Sequence, residues 1–346
     1  MPHSIETRAK LDFVLTLRRR WADTLYPAMR AEYDQAGHVA ATAKEARPQV
    51  QALASYPWFA WAERNAQKAL WRAVQDAVAE DPPPPPANPG PATVEPDPAL
   101  VLPAWYTDFD IHIQPGGVWR NDYSAETYEL GAKLVMLGVN DDYTFHRAFT
   151  ETAIPQRAYR RIVDLGCGFG KSTWPLKRAY PDAEVIGIDL ALPCLRKAAA
   201  KASAQALAIR FVQADCAATQ LPDASVDLVT STMLIHEIPR PHLVATLKEC
   251  ARILAPGGLL RFLDFTRTGD AFRDLAMIEH GERNNEPFMP GLLAADVPAL
   301  CRQAGLADAQ WVAFDERGKG RLEKAEWPKR PEWHFPWAVL EAAKPA

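Results

Sequence analysis

Ile162-Val163-Asp164-Leu165-Gly166-Cys167-Gly168-Phe169-Gly170 is an apolar run that breaks into a glycine loop. Val185-Ile186-Gly187-Ile188-Asp189 is a second apolar run, closed by a carboxylate nineteen residues after the last loop glycine. Both runs predict buried strands of a parallel sheet. In such sheets ligands bind beyond the carboxyl ends of the strands, where the strand order reverses. Glycines there let the backbone turn with positive φ and approach a ligand closely. A carboxylate on the neighbouring strand accepts both hydrogen bonds of a ribose diol. The two stretches together predict a nucleoside-cofactor site.

The spacing from Gly170 to Asp189 also fits a dinucleotide enzyme, so an NAD(P)-dependent oxidoreductase is the alternative. The loop reads Gly-x-Gly-x-Gly, whereas the dinucleotide fingerprint is Gly-x-Gly-x-x-Gly, with its last glycine serving helix packing beside a pyrophosphate. Asp164 precedes the first loop glycine by two positions, where its charge opposes a pyrophosphate and suits a cationic ligand. Asp215 closes Ile209-Arg210-Phe211-Val212-Gln213-Ala214, and Asp227 opens Asp227-Leu228-Val229-Thr230-Ser231. A ligand carrying a sulfonium and an ammonium but no phosphate fits this acidic rim.

From residue 125 to 345 the chain resembles the class I S-adenosylmethionine-dependent methyltransferases, in the small-molecule branch that includes the quinone-biosynthesis type. The resemblance rests on the glycine loop, Gly187-Ile188-Asp189, Ala214-Asp215 with Leu221-Pro222-Asp223, Leu234-Ile235-His236-Glu237-Ile238-Pro239, and Leu254-Ala255-Pro256-Gly257-Gly258. It implies an α/β Rossmann-like sheet of seven strands, the last, around Trp337 to Leu340, antiparallel. It implies S-adenosylmethionine as cofactor. Gly166, Cys167, Gly168 and Gly170 would lie under the methionine half, and Asp164 would orient the loop and the donor's amino group. Asp189 would hold the ribose hydroxyls, Asp215 the adenine amine and the Cys216 N–H a ring nitrogen, with Leu190 and Phe169 alongside. Each aspartate also suits a turn or helix cap.

Length and composition bound these expectations. With 346 residues the chain exceeds one typical domain. Apolar and charged contents of 48% and 24% are those of a soluble globular protein. The longest apolar runs, such as Leu134 to Val139, are too short to cross a bilayer, and no secretory leader is expected. Five cysteines without paired or metal-ligand spacing predict reduced thiols, no metal and a cytoplasmic setting. A net charge of −4 gives no general attraction for nucleic acid. The basic clusters Arg18-Arg19-Arg20 and Arg317 to Arg330 read as solvated surface.

Residues 1–80 predict a helical N-terminal cap. Leu11, Val14, Leu15, Arg18, Trp21, Leu25 and Met29 recur at helical spacing, and a second helix from Trp58 to Val78 carries Trp58, Trp61, Leu70, Trp71, Val74 and Val78 on its apolar side. Residues 81–98, with nine prolines, predict a stiff extended linker. Residues 99–150 predict a lid or substrate segment with a helix from Ser124 to Val139, and residues 151–346 the catalytic domain. In that segment His112, Trp119, Tyr123, Tyr128 and His146 are candidate acceptor contacts, although aromatics there equally glue a cap to a sheet. The cap is also a surface through which the chain could form a homodimer.

Methyl transfer from a sulfonium is an in-line displacement, so positioning and exclusion of water carry much of the rate. A general base is required only where the acceptor loses a proton. His236, after the fourth predicted strand, is the candidate, with Glu237 to orient it. The fourth strand ends in Thr230-Ser231-Thr232-Met233 and lacks the Asn/Asp-Pro-Pro-Tyr of enzymes that methylate exocyclic amines. An enclosed pocket for a small organic acceptor is therefore expected, with Thr266 to Pro290 as a second lid. A non-catalytic cofactor-binding scaffold is the remaining alternative.

Overall fold

The computed structural model describes residues 3–82, 87, 89–140 and 142–346. Its centre is one sheet in the order β1-β4-β3-β2-β5-β6-β9-β7-β8. The strands are β1 (Thr93–Glu95), β2 (Arg161–Leu165), β3 (Glu184–Asp189), β4 (Arg210–Gln213), β5 (Val226–Thr232), β6 (Leu254–Phe265), β7 (Ala307–Asp315), β8 (Gly320–Arg321) and β9 (Trp337–Ala343). Strands β1 to β6 pair in parallel, and β9 runs antiparallel between β6 and β7. The chain builds outward from β2 to β3 and β4, then returns to lay β5 on the other side of β2. The order reverses between β2 and β5, which places a ligand crevice at their carboxyl ends.

The seven expected strands are all present, but the sheet has nine. The short β8 extends one edge beside β7, and β1 extends the other beside β4. Strand β1 arises inside the segment expected to be linker. Pro91 and Pro96 flank it, and at the edge no ladder partner is needed on its outer side. Residues 83–86 and 88 of that linker lie outside the described residues.

Helices cover the sheet. The cap comprises α1 (Ile5–Arg20), continued through a π-turn into α2 (Tyr26–Gln35), then α3 (Ala43–Gln51) and α4 (Tyr56–Glu80). The Ser4 and Thr42 hydroxyls accept from Thr7 N and Glu45 N and so start α1 and α3. Further on lie α5 (Ala104–Thr107), α6 (Ser124–Val135), α7 (Thr144–Ala153), α8 (Thr173–Ala179), α9 (Leu192–Ala204), α10 (Arg240–Ile253), α11 (Ala271–Arg283), α12 (Met289–Ala294) and α13 (Val297–Gln303). The helix expected to reach Val139 stops at Val135, because Leu137 and Gly138 take positive φ. Helices α12 and α13 are separated at Ala295 and Asp296, and the Asp296 carboxylate caps α13 through Ala299 N.

Leu70, Trp71 and Val74 of α4 are buried as expected, whereas Trp58 and Trp61 are 69% and 62% exposed. The buried stripe runs instead through Phe59, Ala62, Glu63, Ala66, Gln67 and Leu70. Glu63 decides this rotation. Its carboxylate, 3% exposed, accepts from His280 Nδ1 at 2.5 Å and from Arg283 Nε, both on α11. Helix α4 is thereby clamped to α11 by a buried ion cluster.

Candidate active site

Strand β2 delivers the glycine loop to the crevice. Asp164 is fully buried and accepts from Ser172 Oγ and Thr173 Oγ1, both at 2.7 Å, and from Thr230 Oγ1 at 3.1 Å. It therefore fastens the loop to the start of α8 and to β5, and burial pushes its carboxyl up to about 6. The loop needs glycine at its two ends. A Cβ on Gly166 would lie 2.8 Å from Leu234 Cδ1, and one on Gly170, at φ +91°, 2.7 Å from Trp174 Nε1. Between them the Gly168 N–H donates to Asp189 Oδ2 at 2.8 Å, and Ala191 N donates to Asp189 Oδ1 at 2.8 Å. Burial raises the Asp189 carboxyl to about 6 as well.

Gly166, Cys167, Gly168, Asp189, Leu190 and Cys216 share the wall of one cavity. Trp105, Tyr106 and Ile111 cover it from the segment before α6. This cradle, built where side chains are missing and ended by a strand carboxylate, fits an adenosyl ligand. Asp164 and Gly170 act behind the cavity rather than in its wall. Asp215 also stands behind it. Its Oδ1 is already engaged by His242 Nε2 and Ala217 N, both at 2.8 Å. Against the upward push of burial, the hydrogen bond from His242 holds that carboxyl below its usual value.

A second cavity adjoins the first and is walled by aromatic rings of Trp71, Tyr128, Phe265, Phe335 and Trp337. His112, Tyr128, Lys171, Met233 and Glu237 line both cavities and mark where they meet. His236 faces the second cavity from the segment after β5. Its Nδ1 is bonded to Asp264 Oδ1 at 2.8 Å, and Asp264 Oδ2 accepts from Ile235 N at 2.9 Å. Burial alone would lower the His236 pKa, but the adjacent Asp264 carboxylate brings a net rise. Its neighbour Glu237 does not start a helix, since α10 begins only at Arg240. Glu237 Oε1 lies 3.7 Å from His236 Nε2 and 2.8 Å from His112 Nε2.

His112 is held hard in this position. Its Nδ1 is 2.9 Å from Glu286 Oε1, and its carbonyl accepts from Gln67 Nε2 at 3.0 Å and Trp71 Nε1 at 2.5 Å. Its backbone sits at φ +53°, and that of Ile113 at +62°, a conformation kept only where surroundings impose it. Desolvation opposes the charged imidazole, yet Glu286 and Glu237 raise its pKa to about 10. Lys171, 8% exposed, lies 5.3 Å from the centre of the Tyr128 ring, and burial lowers its pKa to about 8.

Of the expected acceptor contacts, His112 and Tyr128 reach the cavities and three do not. Trp119 packs instead against Ala125, Ala191 and Cys194. Tyr123 is 49% exposed, because it precedes α6 on its solvent side. His146 is fully buried beside Asn140 and packs within α7 against Phe145, away from both cavities. Sequence reasoning missed Asp264, Lys171 and Glu286. Asp264 had a signal, a lone carboxylate inside the apolar run Leu259 to Phe265. Glu286 had none.

Residues 162–258 match the family described as "Methyltransferase domain". A demethylmenaquinone methyltransferase of Thermus thermophilus is 34% identical over 175 residues, 51% of this chain and 77% of the relative. Another, of Deinococcus radiodurans, is 34% identical over 141 residues, 41% of this chain and 56% of the relative. A trans-aconitate 2-methyltransferase of the same organism is 39% identical over 111 residues, 32% of this chain and 40% of the relative. The match thus spans most of the first relative and about half or less of the others. The switch-point crevice, with its glycine cradle and the strand-end carboxylate of Asp189 in its wall, meets the same conclusion from the side of geometry, and the chain belongs to the class I S-adenosylmethionine-dependent methyltransferases.

Proposed function

We propose that the chain methylates a small organic acceptor held in the aromatic second cavity, with S-adenosylmethionine in the first. The observation that carries this reading is the junction itself, where five residues wall both cavities. When bound, the donor supplies an electrophilic methyl group on sulfur. Gly166, Gly168, Asp189 and Cys216 would hold the donor, while Asp164 and Gly170 keep the loop in shape. Tyr128 and Lys171 close the junction and exclude water. His236 is assigned to the acceptor, because Asp264 fixes Nδ1 and leaves Nε2 for the cavity, where it promotes loss of the acceptor's proton. Planar, ring-bearing acceptors suit walls made of Trp71, Phe265 and Trp337.

On this reading residues 1–80 and 99–150 form the acceptor's lid over a catalytic unit spanning 151–346, with 81–98 between them. All five cysteines are free and buried, which favours a reducing cytoplasmic setting. No helix among the described residues is long and apolar enough to cross a membrane. The exposed Trp58 and Trp61 make the cap the face for a second copy.

The test is calorimetry with S-adenosylhomocysteine and NADH, followed by a screen of planar acceptors for homocysteine-nucleoside release. We expect binding of the first ligand only, and turnover that falls about 10²- to 10⁴-fold in His236→Ala at unchanged donor affinity. Tight NADH binding, or full turnover in His236→Ala, would refute the respective assignment.

A further inference from the structure

We infer that His112, His236 and Glu237 form a binding site for a divalent first-row transition-metal cation at the junction of the two cavities. The site lies in the acceptor cavity proposed above and rests on that reading. It specifies how His236 acts there, as a ligand to a cation that holds the acceptor's oxygen. His112 Nε2, His236 Nε2 and Glu237 Oε1 all lie within 4.8 Å of one another. Bonds of about 2.0–2.2 Å hold such ligand atoms about 3 to 4 Å apart. Of the two separations to Glu237 Oε1, 3.7 Å falls within that spacing, and 2.8 Å, the hydrogen bond from His112, lies just short of it.

Convergence of three ligands is the first observation, and the orientation of both imidazoles is the second. Metal-bound histidines characteristically hold their remaining ring nitrogen against a carboxylate, which fixes the ring and its tautomer. Here both do so. Nδ1 of His236 is paired with Asp264, 1% exposed, and Nδ1 of His112 with Glu286, 3% exposed. Neither supporting carboxylate faces solvent, and both Nε2 atoms turn toward the same oxygen of Glu237. The third observation is the strained backbone at His112, pinned from the cap by Gln67 and Trp71. Strain of this kind collects where one side chain must be held in place.

The charge balance permits the site, since a divalent cation bound by neutral imidazoles stands in for their protons opposite Glu237, Glu286 and Asp264. Two imidazoles and one carboxylate favour zinc, iron or cobalt over magnesium or calcium. A hydroxyl bound there releases its proton to water and remains as the anion. Its oxygen then bonds to the methyl carbon as the carbon–sulfur bond breaks, with the electron pair staying on sulfur. The acceptor class is thus an oxygen acid, a phenol or enol, able to reach the cation through the aromatic cavity. The sequence shows no metal-ligand spacing because the ligands come from the strap before α6 and from the segment after β5.

Cobalt(II) tests this directly on the full chain after chelator treatment. One bound equivalent is expected by elemental analysis, with visible bands of a nitrogen and oxygen site and no sulfur-to-metal charge-transfer band. A sulfur band would move the cation to Asp215, Cys216 and His242, the other group among the described residues whose ligand atoms converge, and would overturn the proposal. His112→Ala and Glu237→Gln should each abolish binding. Asp264→Asn should weaken it about 10- to 100-fold while keeping every ligand. The wild-type spectrum stands whether or not the variants fold. A stripped chain that binds S-adenosylhomocysteine yet takes up neither Co²⁺ nor Zn²⁺ at millimolar concentration refutes the metal site alone. A chain that does not bind S-adenosylhomocysteine refutes the methyltransferase reading instead.

Discussion

Donor affinity should rise with pH through about 6, and Asp189 should be the cause. Burial lifts this carboxyl to about 6 in the free protein, so near pH 5 most molecules carry it protonated. Ribose hydroxyls donate to the ionised form, so binding pulls the pKa back down and releases a proton. The affinity penalty is then the fraction protonated, and S-adenosylhomocysteine should bind about tenfold more weakly at pH 5 than at pH 7. The stability of the free protein should show the opposite slope. A carboxyl raised on folding contributes stability that is complete below its unfolded value and is lost as pH rises through about 6. Asp189→Asn removes the charge-assisted pair, which costs about 1.5–3 kcal/mol, or about 10- to 150-fold in affinity. Calorimetry from pH 5 to 8 reads both effects. Asp164 also titrates near 6, but it stands behind the cavity, so Asp164→Asn should keep the slope that Asp189→Asn abolishes. A flat wild-type profile, or a slope surviving in Asp189→Asn, would falsify the reasoning.

Three further outcomes follow from packing. Gly170→Ala places a Cβ at positive φ against Trp174 and Ala198, and should cost about 1–3 kcal/mol by thermal denaturation. Glu63→Gln takes a buried carboxylate from Arg283 and His280 and leaves Arg283 only its pair with Glu279, and should cost about 3 kcal/mol in a urea melt. Trp71→Ala should cost about 3–5 kcal/mol. By removing one of the two donors to the His112 carbonyl, it should also raise the KM for the acceptor while leaving the Kd for the donor unchanged.

The cofactor half of the site was legible because its information is local. Strand, glycine loop and acidic strand end lie within 28 residues, from Ile162 to Asp189, and each has a backbone reason to be there. The seven central strands were legible for the same cause, since buried parallel strands announce themselves as apolar runs. The acceptor half was only partly legible, because its residues meet across long separations. His112 meets Glu286 over 174 positions and Glu237 over 125, and no periodicity encodes such a meeting. The face of α4 was misjudged at Trp58 and Trp61, because residue hydrophobicity outvoted a single buried glutamate. Tyr123 and His146 failed because an aromatic-rich segment does not reveal which of its side chains turns inward. Strand β1 was hidden by the prolines around it, which forbid a central position for the segment and permit a short outer strand between Pro91 and Pro96.

The clamp at Glu63 has a consequence for synthesis. Its partners His280 and Arg283 follow 217 and 220 residues later. At about 5–20 residues per second, a ribosome needs roughly 10 to 45 seconds to deliver them. Throughout that delay the first helices can gather their apolar side chains, yet the glutamate must stay hydrated. Nascent chains halted before residue 280 should therefore display an N-terminal segment that proteases cut freely, and those released after residue 283 one that resists them.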